Sequence, residues 1–229
     1  MIRVFEENRK REEGFLSKEN RHHLKNVLRI KGNEIFQIVY QDGIFFAKWE
    51  DEFMVLGTVL ENRESSITLN LCFGILKGSK NEEILEHCTE IGVTDFFPLE
   101  MDRSVADISK KVEKKKARWN KIIESAAKQS KRDRIPILHD PMTLAELKQR
   151  EKGTYIVSFE DENQCFFEDI KEQLPEKLYL VIGPEGGFSS QEMELLKNDY
   201  VISLGKRILR AETAAFVSSF HIIHSLEKR

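Results

Sequence analysis

Six apolar runs with strand character, at residues 67–75, 95–99, 135–139, 154–159, 177–182 and 200–203, alternate with stretches of helical spacing. Such alternation commits that part of the chain to an α/β domain with a mostly parallel sheet. Ser79-Lys-Asn-Glu82 and Ser189-Ser-Gln-Glu192 both match the capping box, so helices are expected to start just after Ser79 and Ser189. From Ala211 to Leu226 the chain is apolar on nearly every side, which predicts a helix buried all round, in the core or against another subunit. Ahead of residue 68 the pattern differs. Short apolar runs at 2–5, 34–40, 44–49 and 53–60 are separated by turn signals such as Gln41-Asp42-Gly43, which reads as a small β domain. One helix is expected after Ser17, where His23, Leu24, Val27 and Leu28 recur at helical spacing. The polar segment Glu61–Ser66 is the expected boundary, giving domains 1–66 and 67–229.

Composition narrows the function classes. With 40% hydrophobic and 33% charged residues, and only 12 Gly and 5 Pro in 229, the chain is neither collagen-like nor low-complexity nor strongly disordered. Cys72, Cys88 and Cys165 are odd in number and widely spaced, so neither a disulfide framework nor a Cys-x-x-Cys metal knuckle is expected. No run approaches the length of a membrane span, and Met1-Ile-Arg-Val-Phe-Glu-Glu-Asn8 does not read as an export signal, so a cytoplasmic protein without membrane contact is expected. The net charge of -3 hides two basic segments. Residues 103–134 hold 12 Lys or Arg against four Asp or Glu, and residues 1–31 hold nine against five. Two separated basic segments point to two lobes touching one polyanion.

The chemistry-bearing stretch is Leu180-Val-Ile-Gly-Pro-Glu-Gly-Gly-Phe-Ser189, an apolar strand running into a glycine turn and a capped helix. Glycines there serve a tight turn, or let a ligand approach the backbone at the strand ends of an open sheet. No Gly-Lys-Ser/Thr follows and the spacing is not Gly-x-Gly-x-x-Gly, so nucleoside triphosphate hydrolysis loses support. A second strand end, Leu204-Gly-Lys-Arg-Ile-Leu-Arg-Ala-Glu-Thr-Ala214, repeats the theme with a basic loop. Arg210 and Glu212 there read either as a surface ion pair or as groups facing a ligand. The six histidines form no recognisable ligand set, and no metal is expected. Trp119 shares a helical face with Ile122 and Ile123 and reads as a packing residue.

Taken together these segments resemble the SPOUT superfamily of knotted RNA methyltransferases, in particular its uridine-N3 branch acting on small-subunit ribosomal RNA (the RsmE type). The resemblance rests on Gly183-Pro-Glu-Gly-Gly-Phe-Ser189, Leu204-Gly-x-Arg-Ile-Leu-Arg-x-Glu-Thr-Ala214, Cys88-Thr-Glu-Ile-Gly-Val93, Arg103-Ser-Val105, Trp119-x-x-Ile-Ile123 with Gln129-Ser130, and His23-Leu-x-x-Val-Leu-Arg29. Asn81 and Lys131 are small departures from its pattern. The resemblance implies an N-terminal PUA-like β-barrel, a C-terminal α/β trefoil-knot domain, S-adenosylmethionine as methyl donor, and a homodimer with its active site at the subunit interface.

It further implies a donor site formed by Val181, Ile182, Gly183, Gly187, Leu204, Gly205, Ile208, Leu209 and Arg210. Displacement at the sulfonium methyl by uracil N3 requires loss of the N3 proton. Arg132 and Arg210 are the candidates for stabilising the uracil anion, with Glu185 or Glu212 orienting one of them or accepting the proton. RNA contacts are expected from Arg3, Arg9, Arg11, Arg29, Arg103, Arg132 and Arg134, and the partner is small-subunit rRNA or the assembled small subunit. Two alternatives stay open at this point: a related methyltransferase acting on another RNA or on a ribose 2'-hydroxyl, and a non-catalytic RNA-binding assembly factor.

Overall fold

The structure, a computed structural model, describes residues 1–6, 16–32, 34–49, 53–59, 62–105 and 112–227. The chain divides into two compact units, residues 1–64 with 127–134, and residues 65–126 with 135–229.

In the first unit, β1 (Arg3–Phe5) runs parallel to β2 (Ile35–Tyr40), which pairs antiparallel with β3 (Gly43–Trp49), and β3 with β4 (Phe53–Thr58). The hairpin joining β2 and β3 closes at Tyr40↔Gly43. Phe36, Ile38 and Tyr40 alternate along β2 and meet Val4, Leu16, Leu24, Phe45 and Ala47 in one cluster, while Gln37 and Val39 on its other face are buried as well. α1 (Lys18–His22) starts where the Ser17 hydroxyl accepts the Asn20 N–H at 3.1 Å, and the chain continues as a π-turn over His23–Val27. Among the described residues the four strands form a mixed sheet in the order β1-β2-β3-β4 whose edges do not meet, so the closed barrel implied by the resemblance is not seen there.

The second unit is a seven-stranded parallel sheet. Its strands are β5 (Thr68–Gly74), β6 (Asp95–Glu100), β7 (Ile137–Leu138), β8 (Met142–Thr143), β9 (Thr154–Ser158), β10 (Lys177–Ile182) and β11 (Tyr200–Ile202). The order is β11-β9-β10-β5-β6-β7, with β8 also on β6. β10 shows why the fold takes this form: its even positions, Leu178, Leu180 and Ile182, enter one core, and its odd positions, Tyr179 and Val181, enter another. A strand buried on both faces needs helices on both sides. The first face is covered by α2 (Lys80–Ile91), α3 (Val112–Ser130), α5 (Phe167–Ile170) and α7 (Ala211–Leu226), through side chains such as Leu85, Trp119, Phe167 and Ile222. The other is covered by α4 (Leu144–Arg150) and α6 (Ser190–Leu196), through Leu144, Leu147 and Leu196. Among the described residues no helix is long and apolar enough to cross a membrane.

One of the two expected capping boxes forms and the other does not. Ser189 forms its capping box, with Glu192 N–H donating to Ser189 Oγ at 3.2 Å and Ser189 N–H to Glu192 Oε2 at 2.7 Å. Ser79 does not. Its backbone is already helical (φ −85°, ψ −6°), so its hydroxyl turns to Glu83 at 3.3 Å instead of to the backbone. In the single chain α7 turns Ala215, Ile222 and Ile223 to the core while Phe216, Val217 and Phe220 are 43%, 39% and 53% exposed, which leaves burial against another subunit as the untested part of the expectation.

Candidate active site

β9, β10 and β11 all end on the same edge of the parallel sheet, where the crevice beyond the strand carboxyl ends collects ligands. A cavity of about 510 Å³ opens there. Its walls are the end of β9 (Ser158 to Glu160), the loop after β10 (Ile182 to Glu185, with Gly187), the segment from Leu204 to Ala211, Ala214 of α7, and Lys80 at the start of α2. Both glycine loops therefore line one cavity, although they lie about twenty residues apart in sequence.

Two glycines differ in what they do. Gly187 has φ +70°, a backbone conformation that favours glycine, and a Cβ on it would displace the Glu160 carboxylate, whose Oε1 lies 2.5 Å away. Gly205 has φ +101°, and a Cβ there would meet no protein atom within 4 Å. The packing around Gly205 leaves open cavity beside its backbone, which is the condition for close approach of a ligand. Beside it stands Ile208, 84% exposed, an apolar side chain offered to the opening instead of to the core.

Of the nine expected donor-site residues, eight line the cavity and Val181 does not. Val181 is fully buried in the middle of the sheet, in register with Cys72 on one side and Val157 on the other, and so has nothing to present to a ligand.

The charged groups form an alternating row. Lys80 Nζ lies 3.2 Å from Glu185 Oε1 and 3.7 Å from Glu212 Oε2, and Arg210 Nη1 lies 4.0 Å from Glu212 Oε1. Glu185 also accepts the Lys77 N–H at 3.3 Å. Burial works to raise the Glu185 carboxyl, but its own backbone N–H, that of Lys77 and the Lys80 ammonium outweigh this and hold it below the usual carboxylate range. Glu212 is nearly buried, and its Oε2 has no hydrogen-bond partner. Arg210 is the N-cap residue of α7, with its side chain 79% exposed. Lys80 was absent from the expected site. The available signal was its place at the first position of a helix, where a cation opposes the helix dipole.

Several expected residues lie elsewhere. Arg132 belongs to the first unit, is 3% exposed, and donates from Nε and Nη2 to the Glu64 carboxylate at 2.9 and 2.6 Å. A buried guanidinium needs its carboxylate partner and is occupied by it. Arg3, expected to reach RNA, is 4% exposed, and its guanidinium donates to Gln37, to the Lys131 and Arg132 carbonyls and to Asp133. No phosphate can reach it in this arrangement. Arg29 and Arg103 are exposed and Arg134 is half-buried, while Arg9 and Arg11 lie outside the described residues. Arg103 donates to the Gly186 carbonyl at 3.2 Å, beside the first glycine loop.

Comparison with known proteins agrees with this geometry. Residues 63–222 match the model of the RNA methyltransferase domain family. Small-subunit ribosomal RNA methyltransferase E of Bacillus subtilis is 34% identical over 225 residues, covering 90% of this chain and 88% of that protein. Its namesake from Synechocystis is 33% identical, covering 90% and 71%. The crystal structure of the Neisseria gonorrhoeae enzyme of the same name, bound to S-adenosylmethionine, superimposes with a TM-score of 0.87 at 25% identity, covering 97% of this chain and 96% of that one. With two glycine loops on one cavity and relatives matched along nearly their whole length, the chain belongs to the RNA methyltransferase family, among the small-subunit ribosomal RNA methyltransferases E.

Proposed function

We propose that the protein transfers a methyl group from S-adenosylmethionine to N3 of a uridine in 16S ribosomal RNA of the small subunit. The observation that carries this reading is the single cavity of about 510 Å³ lined by both glycine loops, with open space beside Gly205. Its size is that of a small-molecule site, which is characteristically apolar with a few placed polar groups. Ile182, Leu204 and Leu209 suit an adenine ring, and neighbouring backbone groups supply the polar contacts. Glu160 and Glu185 suit a donor that carries a positive charge.

S-adenosylmethionine supplies, when bound, a methyl group activated by a sulfonium centre. The chain's own part is charge management. Uracil N3 carries a proton, and the negative charge left by its departure spreads to the ring oxygens, where a cation must face it. Arg210, with its side chain 79% exposed at the cavity, has the reach and the freedom for this. Glu185, already bearing its donors, acts as a fixed anion. Glu212 Oε2 is closed to solvent, so the N3 proton leaves to water at the open mouth.

The first unit's sheet is read as a PUA-like RNA-binding module with Arg29 as an exposed cation for phosphate, and the second unit as a SPOUT knot that offers Arg103. The exposed apolar face of α7, Phe216, Val217 and Phe220, is read as a homodimer contact, and the compartment as the cytoplasm. Nucleoside mass spectrometry of 16S rRNA from cells with and without the protein tests the activity. Loss of 3-methyluridine is expected, and an unchanged level refutes the assignment.

A further inference from the structure

Lys80, Glu185, Arg210 and Glu212 come from three distant segments, yet their charges alternate in one row, of which Lys80, Glu185 and Arg210 line the cavity. The two carboxylates are not equivalent. Glu185 keeps a backbone donor, Lys77 N–H, whatever happens to Lys80. Glu212 has no such support: its side chain is 13% exposed, its Oε2 has no hydrogen bond, and the cations within 4 Å among the described residues are Lys80 and Arg210. A nearly buried carboxylate requires a countercharge. Lys80, held half-buried between both acids, supplies it at Oε2, and Arg210 touches only Oε1, at 4.0 Å, with its side chain still 79% exposed.

We propose that Lys80 is a positioning residue which satisfies Glu212 and thereby leaves Arg210 free to face the substrate. This deepens, and rests on, the reading of the cavity as a methyl-transfer site. Without Lys80, Arg210 becomes the countercharge of Glu212 and is drawn down onto it, away from the target base. The placement of a lysine at the first position of α2, against the helix dipole, is then explained by its work in the site and not by helix stability.

The test is a double-mutant cycle on the full-length protein, with Lys80→Met, Lys80→Arg, Glu212→Gln and the Lys80→Met/Glu212→Gln pair. Turnover on 16S rRNA or small subunits is measured alongside calorimetric affinity for S-adenosylhomocysteine. Lys80→Met is expected to lower kcat about tenfold or more while the affinity changes less than about threefold, and Lys80→Arg restores most of the rate. Adding Glu212→Gln to Lys80→Met is expected to recover part of the loss, because it removes the tether; a purely structural role would show further loss. A second readout does not depend on activity: the Arg210 Nε–Hε group, assigned by its absence in Arg210→Lys, should be mobile in the parent by 15N relaxation and ordered in Lys80→Met. An unchanged kcat in Lys80→Met, a loss not relieved by Glu212→Gln, or an Arg210 side chain equally mobile in both proteins overturns the proposal. If the parent protein methylates no uridine, the activity reading fails first, and the relaxation measurement still decides whether Lys80 controls Arg210.

Discussion

Replacing Gly205 by alanine separates what the backbone needs from what a ligand needs. Gly205 sits at φ +101°, so alanine there costs about 1 to 2 kcal/mol of stability through its Cβ. Gly92, the C-cap of α2 at φ +118°, is a matched control, since its Cβ would make only an ordinary contact with Ile223 Cδ1 at 3.6 Å and it does not line the cavity. For a chain of this length each kcal/mol lowers Tm by about 2 to 4 °C, so both variants should melt about 2 to 8 °C below the parent. The two diverge when S-adenosylhomocysteine is added. At about 100 times Kd a ligand adds about 2.7 kcal/mol, or about 5 to 11 °C, to any protein that binds it. The parent and Gly92→Ala should show that rise in a thermal-shift assay. Gly205→Ala should not, because the new methyl group occupies the open space beside the backbone. A full ligand shift in Gly205→Ala, alongside the expected loss of stability, would remove this loop from the donor site and refute the reasoning.

Other predictions concern the first unit and the exposed helix. Arg3→Met strands the buried side of Asp133 and two carbonyls, and should cost about 3 to 5 kcal/mol in urea unfolding, with the salt slope of RNA binding unchanged. Burial pushes the Glu64 carboxyl up, but the Arg132 hydrogen bond and charge, with the Asp133 and Arg134 N–H groups, more than offset this and leave it below its ordinary 4.5. A depressed carboxylate contributes stability that is complete above that ordinary value and is lost as pH falls through the folded one. Glu64→Gln should therefore be less stable at neutral pH and show a flatter acid limb below 4.5 in a urea series. On the proposed homodimer through α7, Phe220→Asp places a charge on the exposed apolar face and should leave only monomer in sedimentation velocity where the parent sediments as a dimer.

What could be read from the sequence tracks the range of the interactions involved. The uninterrupted apolar run of β10 states its double burial outright, Asp42-Gly43 announces the hairpin, and Ser189 with Glu192 marks the start of α6, because each feature is decided by neighbours in the chain. β7 and β8, two residues each, are too short to carry a period. The start of α4 was legible in principle, since Thr143 and Glu146 form a full capping box. The two glycine loops were recognisable as loops, but their difference was not: whether a Cβ meets Glu160 or empty space is a fact about residues brought together from elsewhere.

The same distinction governs the charges, and there the sequence total misleads. The basic stretch from 103 to 134 counts 12 cations, and a polyanion footprint read from that count treats them alike. The fold spends Arg132 internally on Glu64, a partner 68 residues earlier, while Lys116 on Asp140 and Arg118 on Glu82 at 2.6 Å form exposed ion pairs. A cation already paired with a buried carboxylate releases no phosphate counterion when RNA binds, so it adds nothing to the salt-dependent affinity that such counts are meant to forecast. Arg3 makes the point most sharply, because no feature of Met1-Ile-Arg-Val4 distinguishes a phosphate ligand from the hub that holds residues 131–133. Burial decides between the two roles, and burial is set by residues more than a hundred positions away.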